Sequence, residues 1–473
     1  MSSAAKSNHL LLLVRNGREL SFRQQLMLSV QLSLPAMIAQ LSAIVMQYID
    51  ASMVGSLGAN PSASIGLVAT TTWLFSGLCA AFASGFSVQV AHSIGANKME
   101  KARIILRQSV TSIIITGAVL ALIGTSISPF LPIWLGGSPS ICADSSTYFF
   151  IYSLVLPILQ LNLLAAGMLR CSGNMLVPSL MGMAMCLLDV VFNYFLIFPT
   201  REVQILCTSF TVPGAGLGVT GAALGTAAAE VVTTSFLFWY LWNRSHELKQ
   251  KGEGGRFIPT LSTLKKAVRI SFPMGLEHVV ICGAQIMTTV IVAPLGVFAI
   301  AANSLAVIAE SICYMPGYGI ADAATTLVGQ SMGARRKELT WRFSLITVYM
   351  GIAVMGVMGL IMYVFAPHII GIMSPVEEIR TLGTSILRIE AFAEPMFAAS
   401  IVAYGVFVGA AHTFIPCMMN FVSIWAVRLT LAFVLAPTMG LNGVWLAMCI
   451  ELCFRGIIFL FWLHRKKWMK HSS

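Results

Sequence analysis

Two aspartates stand inside apolar runs, where a carboxylate is expensive. Asp50 closes the run SLPAMIAQLSAIVMQYID, and Asp189 lies midway through CLLDVVFNYFLIF. An ionisable group at bilayer depth costs at least ~2.5–3.5 kcal/mol on insertion scales, so each marks a candidate ion or substrate site. A carboxyl in such surroundings can load and release a proton near neutral pH. Two carboxylates facing one cavity could share that proton or hold a Na⁺ ion. Gln40 and Gln47, seven residues apart, share one face of the helix that leads to Asp50, and Asn193 lies one turn beyond Asp189 on the same face. The competing reading of each acid is a packing residue satisfied by backbone or a hydroxyl.

The second half of the chain holds more such groups. Glu277 follows Pro273 in SFPMGLEH, and its neighbour His278 reads as a packing or interfacial residue. Glu310 and Asp322 flank MPGYG, where Pro316, Gly317 and Gly319 are expected to break or bend the helix and act as a hinge. A break at membrane depth is tolerated only where it is buried or lines a cavity. Glu390 and Glu394 precede Pro395, and either could pair with Arg388 or Arg428. Glu230, Glu451 and Arg455 lie in the last apolar run of each half and read as structural pairs. Arg170 stands near an inner helix end. Trp73 could stack on a planar substrate, although most tryptophans in such chains are interfacial.

These residues must be positioned by membrane helices. Of 473 residues, 57% are hydrophobic and 10% charged, against about 25% charged in an average soluble domain. Mean hydropathy is +0.83. A soluble surface and a disordered chain are both excluded. Twelve runs are long enough to span a bilayer: 26–54, 62–92, 104–131, 145–169, 175–198, 216–241, 266–293, 298–328, 342–366, 381–410, 414–436 and 441–463. The alternating pattern of β-barrel strands is absent.

Cations alternate between connections. Lys98, Lys101, Arg103 and Arg107 follow the second span, Arg335, Arg336 and Lys337 the eighth, and Arg465, Lys466 and Lys467 the last. The positive-inside rule then places both termini in the cytoplasm, with a plasma membrane (the inner membrane in a bacterium) as the expected location. The net charge of +11 therefore reflects orientation, and nucleic acid is not an expected partner. The N-terminal apolar run Leu10–Val14 is too short for a signal-peptide core, so the first span is expected to serve as its own insertion signal.

Adding 238 to a first-half position repeatedly finds the same residue. Ser33 and Pro35 map onto Ser271 and Pro273, Gly95 and Glu100 onto Gly333 and Glu338, and Pro157 and Pro178 onto Pro395 and Pro416. The chain reads as two six-helix lobes, 25–242 and 264–464. A cytoplasmic segment 1–24 precedes them, a polar linker 243–263 joins them, and a tail 465–473 follows. Six spans per lobe make the repeats parallel, so substrate is expected between the lobes near the midplane, with access alternating as one lobe rocks against the other. There is no Walker A sequence, HExxH or GxSxG, so ATP hydrolysis and common hydrolytic chemistry find no support. No cofactor is implied. Of ten cysteines, only Cys142 and Cys207 fall in outer connections, where a disulfide is one option that spacing cannot establish.

Several stretches carry a resemblance: the Asp before MVGSLG, AHSIGANKMEKAR, LRCSGNMLVP, TTLVGQSMGA and VRLTLAFVLAPTMGLNGVW. From about residue 25 onward the chain resembles the MATE (multidrug and toxic compound extrusion) family of the MOP flippase superfamily. The resemblance implies an all-α polytopic membrane protein whose twelve helices form two lobes about a V-shaped cleft. It also implies efflux of amphipathic, often cationic compounds in exchange for H⁺ or Na⁺. Asp50 matches the family's helix-1 acid, and Asp189 the first-lobe acid where archaeal and bacterial members place cation coupling. Glu277 resembles a helix-7 acid used in other branches, and Arg428 matches the arginine of a VR motif. There are departures. Met185 stands one turn before Asp189 where members often carry Asn, FVGAAHT with His412 replaces LRGxGDT, and Glu394 lies about a turn from a helix-10 acid.

The resulting expectation is a monomeric secondary multidrug antiporter for small organic substrates. Asp50, Asp189 and Glu277 would couple the cation, with Na⁺ at Asp50 and Asp189 if Na⁺ is the ion. Gln47, Trp73, Asn193, Glu310, Asp322, Glu394 and Arg428 would line the cavity. The alternatives are a lipid or lipid-linked oligosaccharide flippase of the same superfamily and, from another class, an integral membrane enzyme.

Overall fold

In hydrocarbon every backbone N–H and C=O must be satisfied within its own segment, so the apolar runs fold as helices. The computed structural model describes residues 3–205, 208–250, 252 and 254–469. Its elements in chain order are α1 (Ser3–Arg15), α2 (Phe22–Gly55), α3 (Ala59–Gly95), α4 (Met99–Ile127), α5 (Leu131–Trp134), α6 (Pro139–Cys171) and α7 (Leu176–Ile197). A hairpin, β1 (Pro199–Ile205) and β2 (Thr208–Ala215), leads to α8 (Val219–Asn243). The second half holds α9 (Leu261–Val292), α10 (Val297–Gly333), α11 (Lys337–Met373), α12 (Glu377–Ala391), α13 (Glu394–Gly409), α14 (Phe414–Phe421), α15 (Leu429–Met439) and α16 (Leu441–His464). A π-helical turn, Val422–Arg428, joins α14 to α15. Among the described residues, eleven apolar helical spans are long enough to cross a membrane, and the bent pair α12–α13 makes a twelfth.

The repeat is visible in the helix starts. Those of α3, α4, α6 and α7 recur 238 residues later as those of α10, α11, α12 and α14. Backbone turns repeat as well. Gly58 and Gly296 both have positive φ, as do Asn97 and Arg335, and Gly173 and Ala411. Three inter-helix turns thus have the same left-handed residue in each lobe, which fixes how each helix re-enters the bundle. The register is lost after α7, where the antiparallel β1–β2 hairpin precedes α8.

The lobes meet tightly at the end that carries the cationic connections. A Cβ on Gly95 would lie 2.0 Å from the Gln330 carbonyl oxygen, and one on Gly333 would lie 2.1 Å from that of His92. These symmetry-related glycines let α3 and α10 touch backbone to backbone. Across the seam Gln330 donates to the Cys171 carbonyl (2.8 Å), Thr326 to the Arg170 carbonyl (3.1 Å), and Arg170 pairs with Asp322 (3.1 Å). Helix α1 caps the same seam. Leu10, Leu11 and Val14 are buried with Met175 of one lobe and Leu327 and Phe343 of the other. The Arg15 guanidinium bonds Gln330, the Ser172 carbonyl and Glu247. Farther along, α2 and α10 touch where a Cβ on Gly319 would meet the Met37 nitrogen at 2.6 Å. Toward the other end an apolar cavity of about 660 Å³ lies against Leu41, Val45, Tyr48 and Ile49 of α2 and Ile312 of α10.

One expectation is corrected. Helix α10 runs unbroken through Pro316, Gly317 and Gly319, so that motif is not a break. Its glycines give close contact instead: Gly319 against α2, and Gly317 against the Met355 sulfur. The real bend, 57°, falls between α12 and α13, where Glu394 and Pro395 begin a new helix. Both lobes are helical, and the β1–β2 hairpin lies in the connection between α7 and α8. The N-terminal segment forms helix α1, and part of the polar stretch after α8 packs against the first lobe. Leu248 is fully buried, and Gly254 accepts a bond from Arg107. The Cys142–Cys207 question falls outside the described residues, because Cys207 is not among them.

Replacing Gly95 by Val should force α3 and α10 apart. The variant is expected to lower the melting temperature of the detergent-solubilised protein by several degrees, whereas Gly66→Val, at an uncrowded position of α3, should not.

Candidate functional site

In the first lobe, α2 and α7 present their polar residues to each other. Asn193 donates its amide to Asp50 Oδ1 at 3.0 Å. Asp189, one turn earlier on α7, is fully buried. Its two carboxylate oxygens and the Asn193 Oδ1 atom accept no hydrogen bond among the described residues, although Asp50 and Thr226 stand beside Asp189. Helix α8 can approach this group because it is small there. A Cβ on Gly225 would fall 2.0 Å from Asn193 Oδ1. Behind Thr226 is a cavity of about 70 Å³ lined by Tyr148, Tyr152 and Glu230, more than the ~10–15 Å³ that one water needs. Glu230 is buried and its Oε1 has no partner.

The chemistry of this group follows from what it lacks. A buried carboxylate without a donor is costly. A proton on Asp189 would let it donate to Asp50. A Na⁺ ion would find oxygens of Asp50, Asp189, Asn193 and Thr226, the hard donors that alkali and alkaline-earth cations take. Sequence reasoning named Asp50, Asp189 and Asn193. It missed Thr226, Tyr148 and Tyr152, and it read Glu230 as a structural pair. The available signal was GTAAAE, which puts Thr226 and Glu230 one turn apart on a helix otherwise small and apolar.

Glu277 does not join this group. It accepts from Asn420 in the second lobe, with Tyr404 close by. Glu310, Glu390 and Glu394 form a separate buried acidic group around the α12–α13 bend, within electrostatic range of one another. All four oxygens of Glu390 and Glu394 lack partners. Neither acid pairs with Arg388 or Arg428.

Arg428 and Asp322, both named as cavity candidates, are held in ion pairs. Arg428 bonds Glu451 through Nη2 (2.7 Å) and Nε (2.9 Å), and Arg455 grips the same carboxylate at 2.7 and 2.8 Å. Ser423 adds a further donor. Arg428 ends the π-helical turn, an irregularity that re-aims side chains, and here it faces α16. Asp322 is held by Arg170 across the lobe seam. Trp73 meets His278 edge to face at 5.5 Å between α3 and α9, so it belongs to the lobe contact. Gln47 stands exposed on α2, outside the Asp50 hydrogen-bonded group.

The comparisons agree with this architecture. The MatE family model matches residues 35–195 and 273–434, one match in each lobe, and the chain belongs to the MATE family. It is similar to the probable multidrug resistance protein NorM of Thermotoga maritima, with 25% identity over 94% of this chain and 93% of that protein. It is equally similar to the multidrug resistance protein NorM of Burkholderia vietnamiensis, with 25% identity over 93% of each chain. A MOP superfamily transporter from Pyrococcus furiosus superposes with a TM-score of 0.86 at 20% identity, covering 98% of this chain and 99% of that one. A MATE crystallised in complex with MaL6 superposes with a TM-score of 0.86 at 21% identity, over 96% and 98%. These structures establish the fold, a multi-pass membrane protein of two lobes.

Glu451→Gln should leave Arg428 and Arg455 without their counter-charge. Breaking a buried pair from one side costs about 3–5 kcal/mol, so thermal denaturation in detergent should show a large loss of stability. Glu394→Gln, which breaks no ion pair, should show a far smaller one.

Proposed function

We propose that the protein is a secondary active multidrug exporter that expels amphipathic, often cationic organic compounds in exchange for H⁺ or Na⁺. The observation that carries this reading is the Asp50–Asp189 pair, in which a fully buried carboxylate has a second acid and the Thr226 hydroxyl beside it and accepts no hydrogen bond among the described residues. Such a site is incomplete without a cation. The multidrug role follows from membership of the MATE family and from the names of the similar NorM proteins.

The lobe seam supplies the moving part. The contacts of Gly95, Gly333, Gln330 and Arg15 close one end, which the positive-inside rule assigns to the cytoplasm. The chain then faces outward, with both termini in the cytoplasm and a plasma membrane as its site. One chain holds both lobes and the seam, so a monomer suffices. Opening inward must break the Arg170–Asp322 pair and the bonds that Arg15 makes to both lobes. A cation bound at Asp50 and Asp189 biases that exchange only through different affinities in the two states. Glu277, Asn193 and the apolar surface of Tyr48 and Ile49 complete the proposed path for ion and drug. The flippase alternative is less well supported, because a phosphate between the lobes needs free cations there, and Arg170 and Arg428 already hold acids.

Proteoliposomes carrying the purified protein and a fluorescent organic cation test this reading. A pH gradient or a Na⁺ gradient, imposed separately, should drive transport, and one of the two should suffice. Asp189→Asn and Asp50→Asn should each cut ion-driven flux at least tenfold while inserting normally. Transport at the wild-type rate by both variants would remove the assignment.

A further inference from the structure

The α12–α13 bend leaves a groove on the flank of the second lobe, away from the lobe seam. It lies between α11, α12 and α16 and encloses about 980 Å³. Helix α12 contributes Arg380 and Arg388, with Thr381, Thr384 and Ser385 between them. Neither arginine forms an ion pair among the described residues. Arg388 is held only by the Tyr363 carbonyl (3.3 Å) and by the Tyr363 ring, 5.4 Å from its carbon. Arg380 is exposed in the first turn of α12, whereas Arg388 lies more than two turns deeper, where an uncompensated guanidinium is costly unless an anion meets it. Apolar residues continue the groove below the arginines: Ile389, Leu446 and Phe392, the last 69% exposed.

A second cavity, about 670 Å³, adjoins the first and shares Glu377, Thr381 and Ser385 with it. It adds Glu378 and Asn442. The Asn442 Oδ1 atom is buried and has no donor. The groove therefore has three zones in order: two acids and an orphaned acceptor, then two arginines with hydroxyls, then an apolar floor. The repeat shows that this is particular to the second lobe, because Arg380 and Arg388 correspond to Cys142 and Phe150.

We propose that the groove binds a phospholipid with a primary-ammonium headgroup, of the phosphatidylethanolamine type. The phosphodiester meets Arg380 and Arg388 through charge-assisted bonds. The ammonium donates to Asn442 Oδ1 and faces Glu377 and Glu378. The acyl chain lies along Ile389, Leu446 and Phe392. A trimethylammonium headgroup has no N–H to give Asn442, and an anionic glycerol headgroup meets the two glutamates unfavourably. By the orientation above, this site lies in the outer leaflet. The proposal needs only that the chain spans a membrane, and it stands apart from the ion-coupling assignment.

Native mass spectrometry of the delipidated full-length protein in detergent tests it. Phosphatidylethanolamine, phosphatidylcholine and phosphatidylglycerol of matched acyl chains are titrated singly, and soluble phosphoethanolamine is added as a competitor. The ethanolamine lipid should bind at least fivefold more tightly than the other two. Arg380→Gln/Arg388→Gln should remove that binding. Asn442→Leu should abolish the preference for ethanolamine over choline while keeping lipid bound, which a merely unfolded variant would not do. Equal affinity for the three lipids, or undiminished binding by the double variant, would overturn the proposal. Displacement by soluble phosphoethanolamine at lipid-equivalent concentration would assign the site to a free phosphate ester and overturn the lipid as occupant.

Discussion

A charge inside a membrane protein must be paired, hydrogen-bonded, neutralised or supplied with an ion, and this requirement sorts the polar interior. Glu451 meets it with two arginines and a serine. Asp322 meets it with Arg170, and Arg15 with three partners from both lobes and the segment after α8. Asp189 does not meet it, nor do Glu390 and Glu394. The satisfied groups hold helices together. Asp189 is distinguished among the unsatisfied ones by Asp50, Asn193 and Thr226 gathered around it, the group proposed to take the coupling cation.

The same economy governs the lobe seam. Without a hydrophobic drive between helices in lipid, close packing and polar bonds supply the attraction. Gly95 and Gly333 bring α3 and α10 into backbone contact, and the surrounding bonds from Gln330, Thr326 and Arg170 close that end. Apolar packing seals the same end, with Leu11, Met175, Leu327 and Phe343 buried together across the two lobes. The helices within each lobe pack through broad apolar clusters. The Asp189 site, built from α2, α7 and α8, lies inside one of them.

Much of this was legible in the amino-acid sequence. The twelve spans follow from apolar length alone. The 238-residue offset survives into helix starts and left-handed turns, because Pro, Gly and turn residues fix local geometry directly. Asp50 was visible as an acid in an apolar run, and Asp189 and Asn193 as polar residues on one helical face. What escaped depends on contacts between distant segments. Whether Pro316 breaks a helix is decided by neighbours, and here Met355 and the α2 backbone support α10 through it. The bend before Glu394 and the π-helical turn before Arg428 have no local period that announces them. The partners of Arg428 and Asp322 lie 23 and 152 residues away, so spacing could not choose them. Glu277 shared an acidic side chain with Asp50 and Asp189, but its partners, Asn420 and Tyr404, lie in the other lobe.

The central claim is that the Asp50–Asp189 pair binds the cation that a drug displaces. Isothermal titration of a transported organic cation into the purified protein, in two buffers of differing ionisation enthalpy and with or without Na⁺, counts that ion directly. The account predicts that about one proton or one Na⁺ ion leaves per drug bound, and that the release vanishes in Asp189→Asn. Drug binding with no release of either ion, or the same release from Asp189→Asn, would contradict it.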